Sequence, residues 1–316
     1  MRTLLGQLMF RLLILLMLTA LTCPVTALST EQKASQANES RPGEVRVFEI
    51  AKGVFVEFCW IPAGEAQLGS PKEEQSYLTR TAFGGERPDR LDDEAEAKRG
   101  KFKTTGFWLG KYPVTQEEWK AVMGNNPSFF QLDGGGNKAL QKDKIIVTSR
   151  FPVEEVTWND CQKFLEKVNK RPGAEMIFAK AGKFVLPHEN EWEYACRGGK
   201  GNHQAFYFGN ELNGTQANCD GKNPYGTDKK GDNKGRTTEV GSYAKGWPHP
   251  WGLCDRHGNV LQWCENKYDQ LEKRVLRGGS WGYHSAFCRS AIRFRRDPAD
   301  TDGLLDVGLR VCFRLD

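Results

Sequence analysis

The sequence predicts an α+β domain of low regular content, built from short strands and a few short helices. Three observations carry this. Thirty-four glycines, fourteen prolines and nine tryptophans are spread along 316 residues rather than gathered in blocks, a composition that supplies many turns with aromatic packing between them. Between Arg46 and Gly69 apolar and polar residues alternate, the period of a half-buried strand. Three short stretches of helical spacing carry their own start signals.

Taken in order, Met1 to Ala27 has a basic start at Arg2, an apolar run LLILLMLTALT, and small residues Val25 and Ala27 at the positions a signal peptidase reads. This is the pattern of a secretory signal peptide; the alternative is an uncleaved anchor. The apolar run is shorter than the ~20 residues that span a bilayer, and Arg11 interrupts it. No stable membrane span is expected after cleavage, and the destination is the exterior, a periplasm or a cell envelope. Loss of Arg2 and Arg11 lowers the formal charge of +5 by two, too little to argue for nucleic acid. Eight cysteines follow the leader, at 59, 161, 196, 219, 254, 264, 288 and 312. They allow 105 full connectivities, and the sequence selects none.

Residues 28–44 have no apolar period and read as a flexible spacer; the folded domain is expected over 45–316. Strands over Arg46–Gly69 join at Lys52-Gly53 and again at Pro62-Ala63-Gly64. Residues 71–103, rich in Glu, Arg, Asp and Lys, read as a long charged loop. Thr115 with Glu118 is a capping box for a first helix, followed by Trp119, Val122 and Met123 up to Gly124. Thr157 caps a second, whose Cys161, Phe164, Leu165 and Val168 fall on one stripe; Cys161 there reads as core. The third, HENEWEYACRGG, ends where Gly198 can take the left-handed conformation. From there to Val275 the chain is mostly turn residues with short apolar islands, without a repeat of solenoid length.

The chemistry is sparse. There is no HExxH or CxxC spacing, phosphate loop or dinucleotide fingerprint. Arg289, Arg293 and Arg295 read as one face of a strand, facing either buried carboxylates or an anion. His284 could serve Ser280 together with an acid such as Asp297, yet no nucleophile elbow surrounds Ser280. Asn38-Glu-Ser40 and Asn213-Gly-Thr215 match the glycosylation pattern.

Seven motifs, in order, carry more. FWLGKYPVTQEEWKAVMG, FPVEEVTWNDCQKFLEKVN, LPHENEWEYACRGG, TTEVGSY, WGLCDRHGNVLQWCEN, RVLRGGSW and VGLRVCF resemble the formylglycine-generating enzyme, or sulfatase-modifying factor, domain from about Phe55 to Phe313. The resemblance implies a C-type-lectin-like fold. It implies two calcium sites, one from the Asp255 side chain with the carbonyls of Arg256, Gly258 and Val260, the other from Asn218, the carbonyl of Cys219, Asp232 and the carbonyl of Lys234. Oxygen ligands from a tight loop suit that hard cation. One local departure is His188, where the family usually caps the third helix with Thr.

The resemblance also implies what is missing. The enzymes of this family oxidise a cysteine of an exported sulfatase at a single copper(I), held by two thiolates in a stretch beginning GGS. Counted from Gly278-Gly279-Ser280, those positions fall on Tyr283 and Cys288. Copper(I) prefers soft thiolates over a phenol oxygen, so Cys288, the one catalytic candidate, stands without its partner and copper is not expected. Ser280, Trp281, Tyr283, His284 and Asp306 keep the positions of the family's substrate groove, Asp306 where the active enzymes tend to carry Asn. The expected function is therefore a secreted binding module for an exported peptide or protein. Its alternative is a divergent oxidoreductase that converts a sulfatase cysteine to formylglycine.

Overall fold

A computed structural model describes residues 40–82, 85, 90–174 and 181–316. Residues 1–27, expected to be a signal peptide, and all but the end of the expected spacer lie outside the described residues, as does Asn38. Residues Arg41–Asp316 form one unit.

The unit is held by two antiparallel-rich sheets. The first has five strands in the order β1-β2-β5-β11-β6: β1 (Val45–Ala51), β2 (Val54–Ile61), β5 (Phe107–Gly110), β11 (Cys312–Leu315) and β6 (Gly182–Val185). The expected hairpin at Lys52-Gly53 joins β1 to β2, with Gly53 at φ 74°. The last strand enters the middle of this sheet, pairing Cys312 with Leu109 on one side and with Val185 on the other. The second sheet runs β10-β7-β8-β9, from Val307–Gly308, Leu261–Lys267, Arg274–Arg277 and Phe294–Arg296. A separate pair joins β3 (Gly64–Gln67) to β4 (Lys101–Thr104).

Seven α-helices lie among the described residues: α1 (Lys72–Thr81), α2 (Arg90–Asp93), α3 (Glu96–Arg99), α4 (Gln116–Met123), α5 (Asn137–Lys142), α6 (Trp158–Asn169) and α7 (Glu189–Arg197). The three expected from sequence are α4, α6 and α7, and each starts as its cap dictates. At α4, Thr115 Oγ1 accepts the Glu118 N–H while Glu118 Oε2 accepts the Thr115 N–H at 2.8 Å. Its Trp119 stacks on Phe164 of α6 with ring centroids 5.1 Å apart. Cys161, Phe164, Leu165 and Val168 of α6 are buried in the main core beside Phe184 and Phe313. His188 does cap α7: its Nδ1 accepts the Asn190 N–H, and Glu191 accepts the His188 N–H. Thr115→Ala is expected to cost about 1 kcal/mol, read as a lower urea midpoint at unchanged slope. A loss under a few tenths would mean that packing of Trp119 alone sets the helix.

Two expectations are corrected. Residues 71–103 are not one loop: they hold α1, α2, α3 and β4. Two of their carboxylates, Glu74 and Glu94, are buried partners of Arg289 rather than part of a solvated face, and Leu78 and Leu91 are fully buried. The stretch before Val275 also contains β7, which is covered on both faces over Leu261–Cys264, polar Gln262 included.

Candidate functional site: the GGSW turn and its cleft

β8 ends at Arg277, and the chain then turns through Gly278 (φ 101°) and Gly279 (φ 68°). A Cβ on Gly279 would stand 2.5 Å from the Cys288 sulfur, so only glycine allows the turn to close over that side chain. Ser280 is fully buried; its hydroxyl donates to Asp306 Oδ2 at 2.6 Å and accepts the Gly282 N–H at 3.3 Å. Burial pushes the Asp306 carboxyl up, against the lowering by Ser280. Trp281 Nε1 donates to the Leu305 carbonyl at 3.3 Å, and its ring meets Phe130 edge-on at 5.4 Å. Tyr283 packs against Phe294 at 4.9 Å and Phe287 at 6.0 Å. Trp281, Tyr283, Phe294, Arg295, Arg296 and Asp306 line a cleft of about 420 Å³.

The structure thus brings Ser280, Trp281, Tyr283 and Asp306 together. His284 is set apart: its imidazole is about half exposed and 3.7 Å from the Asp220 carboxylate. Ser280 bonds Asp306 and not His284, so the groups for a Ser-His nucleophile with Asp297 are not assembled. The arginines do not share one strand face either, because β9 covers only Phe294–Arg296. Arg289 binds Glu74 and Glu94, Arg293 binds Glu189 and Asp269, and Arg295 lies over the Tyr268 ring at 5.1 Å. Buried carboxylate partners account for Arg289 and Arg293.

Cys288 ends a 3₁₀ turn, Ser285–Cys288, and its thiol is fully buried, 3.9 Å from the carbonyl oxygens of Ser280 and His284. Sequence reasoning missed its neighbour. The Cys219 thiol contacts Cys288 directly and lies 3.4 Å from Ser285 Oγ. Burial and this neighbour push the Cys288 thiol well above the ordinary range, while the bonds from Cys288 and Ser285 draw Cys219 down. Nothing in a separation of 69 residues signals the contact. The eight cysteines after the leader are all buried as free thiols.

A second sulfur cluster is structural. Cys196 lies 3.7 Å from His257 Nε2, but that nitrogen accepts the Tyr207 N–H at 3.2 Å, and Nδ1 lies 2.8 Å from the Cys288 carbonyl. The ring is thus held between two backbone groups, the Tyr207 N–H and the Cys288 carbonyl, and ties the Cys288 turn to the loop at Tyr207.

The loops named for calcium differ in their fit. Asn218 Oδ1 is buried with no hydrogen-bond partner, while its Nδ2 donates to the Arg236 carbonyl and Asn259 Oδ1. A buried unpaired oxygen is costly unless something polar or cationic meets it. Asp232, however, is exposed and bound to Lys234 at 2.9 Å. At the other loop, burial pushes the Asp255 carboxyl up to about 6, against the lowering bond from Gly241 N–H. Arg310 donates to the carbonyls of Cys254 and Asp255, and Gly258 N–H to that of Gly278. Among the described residues no group of three or more His, Cys, Asp or Glu side chains could hold a metal; a site made mostly of carbonyl oxygens has no such group.

The comparison with known proteins decides the family. The model of the sulfatase-modifying factor enzyme 1-like domain matches residues 47–315. The chain belongs to this family. Among relatives of this sulfatase-modifying-factor protein, the inactive C-alpha-formylglycine-generating enzyme 2 of Bos taurus is 36% identical over 276 residues, covering 75% of this chain and 80% of its own. The formylglycine-generating enzyme of Streptomyces coelicolor is 30% identical over 204 residues, covering 57% and 59%. The fold is shared with PvdO from Pseudomonas aeruginosa (TM-score 0.58, 20% identity, 88% of this chain and 100% of that one) and with Treponema denticola variable protein 1 (0.57, 21%, 85% and 99%). The α+β, C-type-lectin-like fold expected from the motifs is the one observed.

Proposed function

We propose that this sulfatase-modifying-factor protein is an exported binding module without copper-dependent oxidase activity, and that the cleft of Trp281, Tyr283 and Asp306 takes an extended segment of an exported peptide or protein. The observation that carries the reading is Tyr283: its ring packs on Phe294 at the cleft, where the resemblance calls for a thiol. The name of the inactive bovine relative is compatible with it, and the signal-like leader supports export. Among the described residues no helix is long and apolar enough to cross a membrane. Cys219 is the one observation in favour of a divergent oxidoreductase, since it sets a second sulfur beside Cys288. Both sulfurs are 1% exposed or less, which leaves a substrate thiol no way to meet them.

Calorimetric titration with a Cys-x-Pro-x-Arg peptide tests the binding role. Binding that is independent of copper and at least tenfold weaker in Trp281→Ala is expected. Heat absent with that peptide, or unchanged by Trp281→Ala, would remove the cleft from the function.

Calcium belongs to the same proposal, with the orphaned Asn218 Oδ1 and the desolvated Asp255 as its support. A ligand bound to the native state alone at a hundredfold excess over Kd stabilises by about 2.7 kcal/mol, so a chelator is expected to lower Tm. Asp255→Ala should remove most of that response and Asp232→Ala little, because Asp232 already pairs with Lys234. A melting curve indifferent to chelator, in protein free of trapped metal, would sink the assignment.

A further inference from the structure

We infer that Cys219 and Cys288 close into a buried disulfide, a covalent joint between the 218–220 loop and the GGSW turn. The backbone brings the two segments side by side. Asp220 N–H donates to the Tyr283 carbonyl at 2.8 Å, Ser285 N–H to the Asn223 carbonyl at 3.1 Å, and Asp220 and His284 form a parallel bridge. Ser285 and Cys288 are three residues apart in a 3₁₀ turn, where side chains at that spacing eclipse. The Cys219 sulfur sits 3.4 Å from Ser285 Oγ and so meets the face that also presents Cys288, with which it is in direct contact. The pair shares one apolar cluster with Leu78, Leu91, Phe206 and Tyr225. Gly279 above it has room for no side chain, which keeps the Cys288 sulfur directed at Cys219.

The chemistry of going from thiol contact to a bond is ordinary exchange. The thiolate of one cysteine attacks a small external disulfide such as oxidised glutathione, forming a mixed disulfide and releasing one thiol. The other cysteine then displaces the second small thiol, so two protein thiols are oxidised and one external disulfide is reduced to two thiols. With both sulfurs shut in the core, the exchange belongs to folding, before the Ser285–Cys288 turn docks. The inference depends on neither the binding role nor export.

The full chain, refolded in a glutathione redox buffer, is denatured, alkylated and mapped by mass spectrometry. A peptide pair joined through Cys219 and Cys288, lighter than the reduced pair by two hydrogens, is expected in the major species, with both thiols protected from alkylation. Cys219→Ser should return Cys288 to the alkylated pool. Should that variant fail to fold, the wild-type map still decides, together with a fall of several degrees in Tm when reductant is added to the wild type. Alkylation of both thiols, or a link from either one to a different cysteine, would overturn the inference.

Discussion

Supplied with copper(I) and air, the protein is expected to leave the cysteine of a Cys-x-Pro-x-Arg peptide as a thiol, with no aldehyde above the protein-free control. The reason is one of ligand chemistry. Copper(I), as the resemblance implies it, would be held by two soft thiolates at once, and a phenol is a poor substitute. Changing a residue that hydrogen-bonds a ligand alters affinity or activity by about 10–100-fold; loss of a ligand removes the centre itself. The Tyr283 ring is held by Phe294 and Phe287, so its place cannot be taken by a neighbouring side chain without repacking the cleft. In a Cys219→Ser background, which removes the rival sulfur, Tyr283→Cys is expected to bring tight copper(I) binding against a competing chelator, while turnover stays absent because Asp306 remains bonded to Ser280. Aldehyde formed by the unmodified protein, dependent on Cys288 and copper, would favour the oxidoreductase instead.

The largest expected effect on stability comes from Glu193, on α7. This carboxylate is fully buried between Arg197, at 2.8 Å, and Arg277, and also accepts the Gly69 N–H at 2.7 Å. Burial alone would raise its pKa, but Arg197, Arg277 and Arg99 outweigh it and hold the group at about 2. Glu193→Gln leaves buried Arg197 without its carboxylate and Arg277 with Glu189 alone, 3.7 Å away; breaking a buried pair in this way costs about 3–5 kcal/mol. The same shift sets a pH window. A carboxyl with a depressed folded pKa contributes stability that is complete above its unfolded value of about 4.5 and disappears as pH falls toward about 2. Urea unfolding at pH 7 should show the full deficit in Glu193→Gln, and the gap between the two proteins should narrow steadily below pH 4.5. A deficit below 1 kcal/mol at neutral pH, or a gap that does not change with acid, would show that the arginines find other partners.

How much of this was legible in the sequence depends on how far each partner lies along the chain. The caps of α4, α6 and α7 are closed by residues two or three apart, and all three helices could be written down in advance. The charged segment could not, because the partner that makes Glu74 a buried ligand is Arg289, 215 residues away. Its charges looked solvated because nothing local contradicted that. β7 failed for another reason: it buries Gln262, whose side-chain oxygen accepts from Trp192 and Arg310, so its polar residues read as loop although both faces are covered. At the site, the turn and its cleft residues were readable as a group, since Ser280, Trp281 and Tyr283 share one short stretch. The contact of Cys219 with Cys288 was not, because a thiol carries no sign of which distant thiol it will meet.

The position of β11 bears on when this molecule can fold. Leu109 of β5 and Val185 of β6 meet only through Cys312 between them, so β6 joins the larger sheet only after a strand from much later in the sequence has been placed. Until that strand is in place β5 holds an open sheet edge, and pairings of such long sequence separation form late and slowly. The order of assembly is therefore written into the topology: the β1–β2 hairpin and the capped helices need only local partners, while the larger sheet closes late.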